Sequence, residues 1–112
     1  MVSRQLAEVM AHTRFHDLPE QVVIDTERSI LDWLGSAMAG ALEGPARMAR
    51  AVISGFGQSN DCTVFPNTRA SAPAAALANG VASHILELDD IHKASTVHAA
   101  APIIPAALAI AE

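Results

Sequence analysis

Apolar residues recur along most of this chain at intervals of three and four, the period of a helix with one face turned inward. Ser3 stands before Leu6, Val9, Met10 and Thr13, an N-cap followed by a short amphipathic stripe. His16-Asp17-Leu18-Pro19 breaks that stripe, and Asp17 as N-cap with Pro19 in the first turn opens a second helix. From Val23 the stripe runs through Ile30, Leu34, Met38 and Leu42, widened by Leu31 and Trp33, over about five turns. The second half of that helix, Leu34 to Ala41, is almost all small, and a glycine there costs roughly 1 kcal/mol of helix propensity against alanine. Close approach of another helix backbone is the simplest offset.

Gly44-Pro45 ends the second helix. Ala46 to Phe56 predicts a third, with Met48, Val52 and Phe56 in register, Arg47 and Arg50 outside, and Gly55, Gly57 and Asn60 marking its exit. Cys62-Thr63-Val64-Phe65 is a β-prone run bounded by turn residues, read as an edge strand or an extended segment. Ser71, with Pro73 in the first turn, opens a fourth helix that runs to about Leu88. A fifth helix-prone stretch, Ala99 to Glu112, stops without a glycine cap or a basic last turn, as a helix cut through would. The expected class is all-α: residues 1–112 as a bundle-like N-terminal segment of a larger helical domain, with at most one short strand.

Composition narrows this further. The chain is 51% hydrophobic, but the apolar residues are mostly Ala, with one Trp, three Phe and no Tyr, which suits tightly apposed helices better than a thick sheet sandwich. A net charge of −5 and seven scattered basic residues give no footprint for nucleic acid. Arg4, Glu8 and Asp17 interrupt any secretory signal. The apolar stretches between Asp32 and Glu43 and from Ala94 to Ala111 fall short of the roughly 20 residues that span a bilayer. A single cysteine, Cys62, fits a reducing compartment, so the expected setting is the cytoplasm.

One segment breaks the apolar monotony. His84 to His98 gathers three of the five histidines with Glu87, Asp89 and Asp90. On a helix persisting to Leu88, His84, Glu87 and Leu88 share a face, and Asp89 and Asp90 meet the negative end of the helix dipole, where local stability disfavours them. Imidazole exchanges protons near neutral pH, and a carboxylate beside it fixes its orientation, so the cluster fits general acid/base chemistry. Two other readings remain open. The segment serves equally as a solvated connection in which Asp89 or Asp90 caps the next element, and His84-x-x-Glu87 with His92 offers nitrogen and oxygen ligands to a metal.

The order and spacing of several blocks resemble the MmgE/PrpD family, which includes 2-methylcitrate dehydratase and cis-aconitate decarboxylase. The blocks are Phe15-His16-Asp17-Leu18-Pro19, Ile30 to Gly35, Ser71 to Gly80, His84 to Asp90, and His98 with Pro102-Ile103-Ile104-Pro105. The resemblance implies a mostly helical main domain, a smaller α/β lid later in the chain, a homodimer, and lyase chemistry without metal or other cofactor on a small polycarboxylic acid. By position it assigns His98, Asp90 and Glu87 to catalysis. His84, Asp89, His92 and Lys93 become candidates for substrate contact. Three positions depart from the family pattern: Glu87 replaces Asp, Ile91 replaces Thr, and Ala99 replaces Pro. Family members are several times longer, so the basic residues for a polyanion are expected beyond Glu112, and the 112-residue chain alone is expected to be inactive. A non-catalytic helical dimerisation module, built on the small-residue faces at Leu34–Ala41 and Ala74–Ala78, is the competing expectation.

Overall fold

The computed structural model describes residues 1–112. Helix α1 (Val2–His12) is followed by a 3-10 turn at Phe15–Asp17, then α2 (Glu20–Gly40) and α3 (Gly44–Ile53), which runs into a second 3-10 turn at Ser54–Phe56. Strands β1 (Cys62–Val64) and β2 (Thr68–Ala70) come next, and α4 (Ala72–His84) and α5 (Ala100–Ala111) complete the chain. The mostly helical class is as expected. Strand β1 is not solitary, because β2 pairs with it antiparallel, Cys62 opposite Ala70 and Val64 opposite Thr68. A three-residue strand containing Arg69 carries too little alternation to be seen in sequence.

Helix α4 is the centre of the fold, packed against α2, α3, α5 and the hairpin. Its buried side is made of Ala74, Ala75, Ala78, Asn79, Ala82 and Ser83, so neighbours approach almost to backbone contact. A methyl group added at Gly40 of α2 would lie 2.0 Å from the carbonyl oxygen of Ala82. At Gly80 it would lie 3.3 Å from that of Ala101 in α5. The small residues of α2 therefore do meet another helix, and their propensity cost is offset there. At Gly40 they meet it within this chain, whereas Gly35 and Ala39 of the same run stay exposed.

Which faces are buried differs from the sequence reading. In α2 the inward residues are Trp33, Ser36, Ala37 and Gly40, while Ile30 and Met38, and Leu42 just past the helix, are exposed. A Met or Leu side chain has no room where two backbones touch. Trp33 is the large exception, with its ring 6.0 Å from that of Phe65. In α3, Ala46 and Ile53 are buried, and Met48, Val52 and Phe56 face out. Arg50, expected outside, turns inward and donates from Nη1 to the carbonyls of Ala41 (2.6 Å) and Phe65 (3.2 Å). The last carbonyls of a helix lack intrahelical donors, and a guanidinium supplies one at the end of α2. Asp17 also differs: Pro19 is the N-cap of α2, and the Asp17 carboxylate accepts from the Arg14 N–H at 2.8 Å in the preceding turn.

Asn79 ties the hairpin to α4. Its Nδ2 donates to the Thr63 carbonyl (2.8 Å) and its Oδ1 accepts from the Phe65 N–H (3.0 Å), so one amide acts as a neighbouring strand for β1. Cys62 lies in the cluster with Ile53, Val64 and Ala109. No helix is long and apolar enough to cross a membrane.

Candidate functional site

Helix α4 stops at His84, four residues short of the expected end. The Glu87 N–H bonds back to the His84 carbonyl (2.9 Å), and Glu87 itself has φ of 51°, a left-handed conformation that ends helical winding. This corrects the shared face proposed for His84, Glu87 and Leu88. Asp89 and Asp90 accordingly do not sit at a helix C-terminus. The chain instead makes a loop from Ile85 to Ala99, pinned by a bridge between His92 and Val97, before α5 begins.

The loop folds Asp89 inward. Its carboxylate has no exposed side-chain surface and lies 3.0 Å from His84 Nδ1 and 3.3 Å from His98 Nδ1. The two imidazole rings stand edge to face with centroids 4.9 Å apart. His84 Nδ1–H donates to both Asp89 oxygens, whereas His98 Nδ1 is buried and off the line a hydrogen bond needs. No lysine or arginine pairs with Asp89; imidazoles are its ionisable partners. A buried carboxylate requires a compensating cation or donors, and the His84 ring supplies a hydrogen bond to it while His98 lies close by.

Beyond the rings lies an open cavity of about 560 Å³ between α4 and α5. Its walls are apolar, with Leu77 and Val81 on one side and Ala101 and Pro102 on the other, and His84 and His98 are its only polar side chains. Asp89 is behind the rings and does not line it. Both rings thus line the cavity with the Asp89 carboxylate close to their Nδ1 atoms, and an imidazole set between a carboxylate and a cavity is suited to handling a proton. Close α4–α5 packing at Gly80 is what brings His98, two residues before α5, over the end of α4.

The other sequence candidates are elsewhere. Glu87 is exposed on its turn and takes no part in the trio. Asp90 accepts from the Ala100 N–H at 3.3 Å at the head of α5, the capping role left open for it. His92 is exposed with Nδ1 bonded to Ser95 Oγ (2.7 Å), and Lys93 is exposed. The structure brings His84 and His98 together. Asp89, assigned by sequence to substrate contact, is instead the buried partner of both. The metal set His84, Glu87 and His92 does not assemble; the residues whose ligand atoms converge are His84, Asp89 and His98. Cys62 takes no part: burial foremost, then the charges of Glu112 and Asp61, push its thiol above the ordinary 9.0, with Arg69 pulling the other way.

Comparison with known proteins identifies relatives by sequence. The pattern described as the MmgE/PrpD N-terminal domain matches residues 4–112. A cis-aconitate decarboxylase-like protein, oryM of Aspergillus oryzae, is 29% identical over 112 residues, covering 99% of this chain and 23% of the relative. The chain therefore spans about a quarter of that curated relative's length. No solved structure matches. With the match extending over nearly every residue and the histidine pair at the end of α4 and the head of α5, the chain belongs to the MmgE/PrpD family, in its N-terminal domain.

Proposed function

We propose that this chain is the N-terminal part of a lyase that removes water or carbon dioxide from a small polycarboxylic acid of the 2-methylcitrate or aconitate kind. The observation that carries the reading is the buried Asp89 carboxylate beneath two cavity-facing imidazoles. His98 is the general acid/base at the cavity wall, with the Asp89 carboxylate 3.3 Å from its Nδ1 on the side away from the cavity. His84, half exposed at the cavity rim, shares the carboxylate and is the second proton carrier or a donor to a substrate oxygen. Apolar walls strengthen these interactions by keeping water away from the reacting carbon.

An apolar cavity with no lysine or arginine in its lining is poorly matched to a polyanion by itself. The cations that grip the substrate carboxylates come, in this proposal, from the remainder of a polypeptide of the relative's length, which is why the 112-residue chain alone is inactive. Homodimerisation and a cytoplasmic setting belong to the same proposal. Support comes from the family membership and from the relative's printed description.

The test is turnover by the full gene product on cis-aconitate and 2-methylcitrate, wild type against His98→Ala. Loss of general acid/base catalysis lowers kcat by about 10²–10⁴. Equal turnover by the two proteins removes His98 from the mechanism.

A further inference from the structure

Three ligand atoms, one nitrogen from each of His84 and His98 and one Asp89 oxygen, lie within 4.8 Å of one another. A tetrahedral zinc ion about 2.0–2.1 Å from its ligands spaces them by roughly 3.3 Å. The separations from the Asp89 oxygen, 3.0 Å to His84 and 3.3 Å to His98, already approach that value. Only the distance between the two nitrogens has to close, and His84, with 49% of its side chain exposed, is free to swing. A second observation points the same way. His98 Nδ1 is buried against the carboxylate without a hydrogen bond, and Asp89 has no fixed cation beside it. Two imidazoles and a carboxylate suit zinc-like ions, whereas magnesium and calcium favour all-oxygen sites.

We propose that His84, Asp89 and His98 bind a zinc-class divalent cation, and that occupancy switches off the proton transfer assigned to this site. The binding half stands on geometry alone; the inhibition half rests on the proposed function. Coordination through Nδ1 displaces any proton there and leaves each neutral ring protonated at Nε2. His98 then offers the cavity an N–H donor and no lone pair, so it cannot accept a proton from substrate. The ion acts as a reversible inhibitor that competes with protons for the same three atoms.

The experiment titrates zinc against a chromophoric chelator with the full chain, wild type and four variants, each checked for folding by circular dichroism. Expected is one zinc per chain at micromolar affinity or tighter, weakened at least about tenfold by His84→Ala, His98→Ala or Asp89→Asn and unchanged by His92→Ala. No binding overturns the proposal. So does binding that survives His84→Ala, the half-exposed position where truncation least disturbs the fold. Turnover of cis-aconitate by the full gene product is then measured with zinc. Activity that persists at saturating zinc overturns the inhibition, whereas zinc binding at the trio without any turnover overturns the catalytic reading and leaves the metal site standing.

Discussion

Replacing Asp89 with asparagine keeps the side-chain volume and removes the charge that two imidazoles share. Opposite unit charges 3.3 Å apart, the Asp89–His98 separation, attract by about 5 kcal/mol at an effective dielectric near 20. His98 keeps 29% of its side chain exposed, so solvent screening lowers this to about 3–4 kcal/mol. If the imidazolium forms in the transition state, that loss appears in the barrier, and at about 1.4 kcal/mol per tenfold it lowers kcat by a factor on the order of 10²–10³. The substrate KM changes little, because Asp89 sits behind the rings and does not line the cavity. The assay is steady-state turnover of cis-aconitate by the full gene product, with a thermal melt to show that the variant is folded. A folded Asp89→Asn enzyme with kcat within about twofold of wild type refutes the claim that this carboxylate supports proton transfer.

Other outcomes follow from the packing. Gly40→Ala drives a methyl group to 2.0 Å from the Ala82 carbonyl, and this overpacking, about 1–3 kcal/mol, exceeds the roughly 1 kcal/mol gained in helix propensity; urea unfolding should show a net loss of stability. Asn79→Ala leaves the Phe65 N–H and the Thr63 carbonyl without partners and destabilises by at least about 2 kcal/mol, and hydrogen exchange at Phe65 should accelerate. The Cys62 thiol, raised above 9.0, should resist alkylation at pH 8 until the chain unfolds. The sign of the linkage is fixed: a raised thiol value favours the folded state fully below pH 9.0, and that contribution is lost as pH climbs through the higher folded value, as alkaline melts would record.

The helix count, the β1 position and the clustering of His84 with His98 were legible in the sequence because period, caps and clustered residue types are local signals. The buried faces were not. Periodicity identified the largest apolar residues of α2 and α3, but backbone contact at Gly40 selects for the smallest on α2, leaving Met38 outside, and on α3 Met48 is likewise exposed. The Leu34–Ala41 run carries part of that information, since a cluster of small residues predicts how near a neighbour comes, although it does not say which face the neighbour meets. Asp89 escaped for a different reason. Its neighbours are set by a left-handed Glu87 and a long loop, and a non-glycine residue at positive φ has no sequence marker. Asp90, equally acidic and adjacent, caps α5, and nothing in the dipeptide tells which carboxylate turns inward.

The proposed transfer of a proton by His98 is tested most directly with solvent deuterium. In heavy water the wild-type full gene product, turning over cis-aconitate, should place one solvent deuterium on a carbon of the product or recovered substrate, and His98→Gln should add none beyond the enzyme-free rate. Label entering at the wild-type rate in the His98→Gln protein would contradict the account.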